Sequence, residues 1–545
     1  MFGIFFEEIN HAGAGGLWAE LVSNRGFEAG GSTTPSNIDP WSIIGNETNI
    51  IVGTDRTSCF SQNKVALRME VLCDIGGSIT CPTGGAGIYN PGYWGMNIEQ
   101  GKTYKLTMYV RSMDAVNLSV SLTSSDGLQN LATANIVTAA LDIANWTKVE
   151  LLLEAEGTNV NSRLQITTAQ KGIIWLDQVS LMPLDTYKGH GFRAGLVSML
   201  ADLKPRFIRF PGGSYVEGEW LRNAFRWRET VGPWEERPGH FGDVWKYWTD
   251  DGLGYYEFLQ LAEDLGASPV WVINNGISHN DQVDTSTIPA FVQDALDSMN
   301  LLESDPDSKW GSVRASMGHP EPFELKYVAL GNQDCWKKNY RGNYLKFYYA
   351  IKAAYPDIQL VSIVMVLLCK LDHPADLYDF HLYTSGNDMF TRAHQFDRTS
   401  RSSTGPKAFV SEYLDHGSNV GQGTFFSALA QAGFLIGLEI NSDVVEMASN
   451  APLFDQRLPI LGGDNVNLKI AVSGLQNVVN SSGSTTTVLT SKNLMDENSF
   501  KEPNKVAPLQ NMLQNAGTNM DVVIVPHSLT SFDLALSETN YWSAI

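Results

Sequence analysis

From residue 186 onward one rhythm limits the folds open to this chain more than any other feature. Amphipathic helical stripes alternate with short apolar runs that end in polar residues. Leu196, Met199, Leu200 and Leu203 stand at i, i+3, i+4 and i+7 and are followed at once by Arg206–Gly213 (RFIRFPGG). The alternation repeats through Tyr255–Leu265 and Pro269–Gly276, then through Val292, Ala295, Leu296 and Met299 before Leu325–Asp334. It continues with Phe347, Ala350, Ile351 and Ala354 before Ile358–Val366. Tyr378–Thr384 and Lys407–Tyr413 come next, and a helix over Phe425–Leu438 precedes Val445–Ala451. Apolar strands separated by helices predict a parallel sheet covered by helices. These are seven strands, and Phe2–Glu8 (FGIFFEE) is the eighth candidate. Eight make a (β/α)8 TIM barrel whose first strand is parted from the others by an insertion.

The insertion has a different period. Val65–Leu72, Tyr104–Ser112, Val116–Ser124, Lys148–Ala155 and Arg163–Thr168 follow one another with turn residues between them. Along Tyr104-Lys105-Leu106-Thr107-Met108-Tyr109-Val110-Arg111 apolar and polar side chains alternate, the pattern of half-buried antiparallel strands. A β-sandwich is predicted there. The stretch Val466–Leu536 returns to β patterns such as Leu468–Val472 and Val522–Val525 and predicts a second, smaller sandwich. The expected domains are residues 1–20 (first barrel strand), 21–185 (inserted sandwich), 186–454 (rest of the barrel) and 455–545 (a truncated C-terminal sandwich). A chain of 545 residues is too long for one core, which agrees with that division.

The formal net charge of -21 opposes nucleic acid and anionic membranes, and no Lys/Arg run offsets it. No apolar segment is long enough to span a bilayer. Neutral sugars fit such a surface, and 14 Trp and 19 Tyr supply faces for sugar rings, although most of them belong to the core. Of the five cysteines, Cys73 and Cys81 are a candidate disulfide, and no Cys/His spacing suggests a metal or other cofactor. Sequons at Asn46, Asn117, Asn145 and Asn480 fit a secreted protein. No leader is visible before the first strand, so the expectation is an extracellular protein of the cell wall or matrix whose leader lies outside this sequence.

Barrels of this kind gather function at the C-terminal ends of their strands. Those ends read Glu7, Gly212-Gly213-Ser214, Asn274-Asn275, Asn332-Gln333, His381-Leu382-Tyr383, Glu412 and Asn450. One polar residue at a strand end usually caps a loop; so many on one rim predict a site. The decisive ends are strand four (Gly331-Asn332-Gln333) and strand seven (Ser411-Glu412-Tyr413). A retaining glycosidase needs two carboxyls about 5–5.5 Å apart, one as nucleophile and one as acid/base.

At these positions, and over nearly its whole length, the chain resembles the α-L-arabinofuranosidases of glycoside hydrolase family 51 in their plant form. The resemblance rests on FGIFFEEINHAG, RFPGGSYVEG, WRETVGPWEERPGHFGDVWKYWTDDG, NNGISHNDQ, LGNQDCWKKNYRGNYLKFY, LDHPADLYDFHLYT, FVSEY and MDENSF. It implies a carbohydrate-binding-like insert and a retaining exo-hydrolase that removes terminal α-L-arabinofuranosyl residues from arabinoxylan or arabinan of the plant cell wall. By resemblance, Glu412 matches the nucleophile. Glu7, Arg209, Asn332, His381 and Tyr383 match residues that bind or orient arabinose, and Trp227 matches an aromatic wall of the pocket.

Three departures from the family pattern stand out. Gln333 occupies the place of the acid/base Glu, and an amide can hydrogen-bond but cannot deliver or remove a proton. Asp334 is no substitute, because successive strand residues point to opposite faces. After strand five, Val361-Ser362-Ile363-Val364-Met365-Val366-Leu367-Leu368-Cys369 runs on apolar where the family turns polar. After strand eight, Phe454 is followed by DQRLPILGGDNVNLKI with no helical stripe. The barrel is therefore expected to lack one covering helix, leaving the outer face of strand eight exposed. The last two departures favour a natural chain that has diverged, or whose gene was misread at a splice junction, over a designed substrate trap. The expected function is a weakened arabinofuranosidase. Its rival is a non-catalytic carbohydrate-binding protein using the same pocket, and a purely structural scaffold would show no sugar affinity.

Overall fold

The computed structural model of the chain describes residues 1–30, 37–363, 369, 371–401, 405–417, 424–451, 466–475, 477–499 and 501–537. Eight parallel strands close a barrel in chain order: β1 (Phe2–Phe5), β2 (Phe207–Phe210), β3 (Ser268–Ile273), β4 (Tyr327–Leu330), β5 (Gln359–Ile363), β6 (Leu377–Thr384), β7 (Lys407–Asp415) and β8 (Val445–Asn450). The register pairs Phe5 with Arg209, Arg209 with Val270, and Ile273 with Leu330. All four residues of β2 and of β4 are buried; β4 reads as an unbroken apolar run, and β2 is interrupted only by Arg209. Seven helices of seven residues or more accompany the strands among the described residues: α1 (Ala194–Asp202), α2 (Tyr255–Leu265), α3 (Pro289–Glu303), α4 (Lys309–Ser316), α5 (Tyr340–Ala354), α6 (Gly386–Arg392) and α7 (Phe425–Ile440). The chain divides into two compact units, Phe2–Tyr378 and Asp379–Ile545, Met1 falling with the second.

Within the first unit the insertion is an antiparallel sandwich. One sheet is ordered 147–154, 103–112, 172–183, 66–71, 50–55, and the other 42–44, 86–90, 159–168, 116–124, 130–138. Leu67, Met69, Leu106, Met108 and Val110 of one sheet share a core with Leu118, Val120, Leu122, Leu164 and Ile166 of the other. Cys73 and Cys81 are joined, as their spacing suggested, and a second disulfide links Cys335 to Cys369. In the second unit, the two strands Val466–Ala471 and Asn519–Ile524 pair antiparallel, and Leu509–Met512, Val479–Thr490 and Ser528–Leu536 form a three-stranded sheet.

Two expectations change. In α1 the buried residues are Val197 and Leu200, whereas Met199 and Leu203 of the expected stripe face solvent. Strand β8 is not left bare: Val445, Met447 and Ala451 on one face and Val444 and Ala448 on the other are all buried. Helix α7 packs against β8 in the same unit. The helix said to be absent after Phe454, and Val364–Leu368 of the apolar run, lie outside the described residues.

Candidate active site

In the first unit a chain of hydrogen bonds joins the ends of β1, β2 and β4. Arg209 is fully buried, donates from Nη2 to Asn332 Oδ1 at 2.8 Å, and lies over the ring of Phe5. Asn332 Nδ2 in turn donates to Glu217 Oε2 at 2.9 Å, and the backbone N–H of Gln333 donates to Glu217 Oε1 at 3.1 Å. One buried carboxylate therefore holds both residues that follow β4. Its Oε2 also stands 3.6 Å from His279 Nε2, and this contact with Glu217 holds the imidazole above its ordinary pKa. Glu7 accepts from the backbone N–H of Tyr215 at 3.0 Å and from Trp245 Nε1 at 2.9 Å. Gly213, at φ +65°, leaves room for the Glu7 carboxylate, into which any Cβ would run.

Asp334 is turned inward and is 1% exposed. Burial first, and the charge of Glu217 second, hold its carboxyl well above the usual range. Glu8, beside Glu7, is also buried and is pushed up to about 8, although it accepts from the Tyr247 hydroxyl at 2.8 Å and from Gly13 N–H.

In the second unit Glu412 on β7 accepts a 2.6 Å hydrogen bond from the Tyr383 hydroxyl on β6. His381 Nδ1 lies 3.4 Å from the same Glu412 oxygen. On the other side of the ring, Nε2 meets Asp379 Oδ2 at 2.9 Å and Ser411 Oγ at 3.0 Å. A carboxylate at each ring nitrogen fixes the imidazole, and the imidazole and phenol fix Glu412. A buried carboxylate oriented by the Tyr383 hydroxyl, with the His381 ring beside it, suits attack on an electrophilic carbon.

The sequence profile of the Alpha-L-arabinofuranosidase 1 domain matches residues 199–401. Alpha-L-arabinofuranosidase 1 of Arabidopsis thaliana is 57% identical, over 98% of this chain and 88% of that protein. The chain belongs to the plant-type α-L-arabinofuranosidases of glycoside hydrolase family 51. It is accordingly an exo-acting arabinofuranosidase by family. Alpha-L-arabinofuranosidase 2 of the same plant is 55% identical over 99% of this chain and 89% of its own length. The extracellular exo-α-L-arabinofuranosidase of Streptomyces chartreusis is 35% identical over 83% of this chain and 55% of that protein. A solved structure of an arabinose-bound family 51 enzyme superposes with a TM-score of 0.87 at 26% identity, covering 98% of this chain and 97% of its own. The alignment with the first Arabidopsis protein spans 602 positions against 545 residues here, so that relative carries segments with no counterpart in this chain. Among the described residues no helix is long and apolar enough to cross a membrane.

Of the residues matched to the family, the structure brings Arg209 and Asn332 into one network in the first unit, with Glu7 held nearby by Tyr215 and Trp245, and brings His381, Tyr383 and Glu412 into one network in the second. Trp227 lies outside the Arg209–Asn332 network: its indole N–H donates to Asp294, its ring packs edge-on against Tyr255 and Trp310, and it lines a cavity with Phe225, Trp271 and Asn274. Asn274 and Asn450 are loop ties: Asn274 Oδ1 accepts from Gly276 and Ile277, and Asn450 Nδ2 donates to Tyr413 O. Glu217 and His279 were not singled out in the sequence. Glu217 lies in the quoted run RFPGGSYVEG and His279 in NNGISHNDQ, so a polar residue inside a family motif but off a strand was the only signal.

Proposed function

We propose that Glu412 is the nucleophile of a retaining α-L-arabinofuranosidase, with Gln333 standing in the acid/base position. The observation that carries this reading is the buried Glu412 carboxylate, held by Tyr383 and His381 at the end of β7. Asn332 and Gln333 follow β4 of the same closed barrel, a fold whose sites gather at the strand C-termini. Glu7, Arg209 and Asn332 bind the arabinose hydroxyls. Glu412 attacks the anomeric carbon and the glycosidic oxygen departs. With an acid that oxygen would leave protonated; the Gln333 amide has no proton to give, and it cannot later activate water. The chain therefore turns over good leaving groups and is slow on natural glycosides.

The substrates are terminal α-L-arabinofuranosyl units of cell-wall arabinoxylan or arabinan, met outside the cell. All four sequon asparagines are exposed, which supports the extracellular setting. The Gln333 amide also favours a second reading, a carbohydrate-binding protein without turnover. An aryl arabinofuranoside with an acidic phenol separates the two: release of the phenol supports the enzyme, and arabinose binding without release supports the binding protein.

A further inference from the structure

Trp94 sits in the loop 91–95 of the inserted sandwich and is 65% exposed. The loop is firmly seated. Tyr93 fills the space over Gly15, which at φ +87° has no Cβ to collide with the ring. Gly92 N–H donates to Asn90 Oδ1 at 2.9 Å, and Gly95 N–H to Pro91 O at 3.1 Å. His11, in the segment after β1, has its ring 5.3 Å from Trp94 and 4.0 Å from Tyr247. Tyr247 accepts from His11 N–H and donates to Glu8. Two residues earlier Trp245, 39% exposed, donates to Glu7. A row of rings thus runs from the insert through His11 to Tyr247 and Glu8, and Trp245, two residues before Tyr247, holds the adjacent Glu7 read above as sugar-binding.

We infer that this row is a platform for the glycan backbone that bears the scissile arabinose, with Trp94 as its outer stacking face. The inference rests on the reading of Glu7 as an arabinose-binding residue. A seated loop that turns a large aromatic ring outward, beside a sugar pocket, suits the apolar face of a neighbouring sugar ring. Lys246, between Trp245 and Tyr247, donates from its ammonium to Asp243 O, and Glu7 and Glu8 flank the row, so a neutral glycan fits it better than a polyanion. The insert is then part of the substrate site of this chain.

Titration of the full chain with an arabinofuranosyl-branched xylo-oligosaccharide and with free L-arabinose, by calorimetry, tests this. Trp94→Ala is expected to lose about tenfold more affinity for the oligosaccharide than for arabinose. Trp94→Phe, which keeps a stacking ring, is expected to stay within about threefold of the parent. The oligosaccharide, and not arabinose, should change the tryptophan fluorescence of the parent, and Trp94→Phe should lack that change. If the parent binds both sugars and Trp94→Ala keeps their affinity ratio, the platform is refuted while the arabinose site stands. Equal losses for both sugars refute it too, since they show a structural role. A parent that binds neither sugar overturns the platform and the underlying reading together.

Discussion

Glu217→Gln is the substitution whose effect follows most directly from the structure. The carboxylate accepts from Asn332 Nδ2 at 2.9 Å and from the Gln333 N–H at 3.1 Å, and it is 2% exposed. An amide offers one acceptor, so whichever way it turns, one of those two donors faces an NH2 group. Losing a hydrogen bond to a charged group costs about 1.5–3 kcal/mol, and the surviving bond weakens by about 1 kcal/mol once the charge is gone. The sum, about 2.5–4 kcal/mol, is a large share of a net stability of about 5–15 kcal/mol. At roughly 2 °C per kcal/mol for a unit of this size, the melting temperature should fall roughly 5–8 °C. Asn332 would also lose the anchor that positions it, so arabinose affinity should drop about tenfold. The His279 pKa, held up first by Glu217, should move down, a change visible in its ring proton shifts. Calorimetry, arabinose titration and NMR of the variant read these three effects, with Glu219→Gln, a half-exposed residue that also stands 3.6 Å from His279, as a control for the first two only. A Glu217→Gln protein that melts, binds arabinose and titrates at His279 like the parent would refute the claim that one carboxylate organises the β4 end.

Glu8 and Asp177 are raised to about 8 and Glu20 to about 7, each chiefly by burial. A carboxyl with a raised folded pKa holds a proton that the unfolded chain has released, so stability falls as pH climbs from about 4.5 toward 8, by about 1.4 kcal/mol per pH unit per group. The melting temperature of the first unit should thus be higher at pH 5 than at pH 8, and Glu8→Gln should flatten the slope; an optimum at pH 8 would contradict this. Reducing the Cys335–Cys369 bridge, whose partners are 34 residues apart, should cost about 3–4 kcal/mol in chemical denaturation of Cys335→Ser, and an unchanged midpoint would show the cross-link to be idle. Gly213→Ala puts a methyl group where the Glu7 carboxylate sits, at a positive φ costing about 1–2 kcal/mol, so arabinose binding should weaken at least as much as stability; wild-type affinity would remove Glu7 from the pocket.

The barrel was readable because a strand buried on both faces leaves an unbroken apolar run, as in Tyr327–Leu330, between helices whose apolar residues keep a 3.6 period. Helix Tyr255–Leu265 was legible at both ends. Helix α1 was not, since a stripe shows that a helix has an apolar side and not where its axis will turn that side; Met199 and Leu203 ended in solvent. Helices α4 and α6 are short and carry too few apolar residues to show a period. Asn332, His381, Tyr383 and Glu412 stood out because polar groups at the ends of buried strands need partners, and Arg209 only through the family resemblance. Glu217 did not, because it follows the strand in a four-residue helical turn and looks like any loop carboxylate. The tie between the Trp227 indole N–H and Asp294 was equally invisible, because nothing local in the sequence brings the two residues together.

The central claim is that Glu412 can attack but Gln333 cannot protonate, and hydrolysis by Gln333→Glu beside the parent tests it most directly. On a natural arabinoside, whose leaving oxygen needs a proton, the account predicts a gain of about 10²–10⁴-fold. On an aryl arabinofuranoside with an acidic phenol the gain should be far smaller, and azide should speed the parent by replacing the unassisted water of the second step. Equal rates for Gln333→Glu and the parent on both substrates would contradict it.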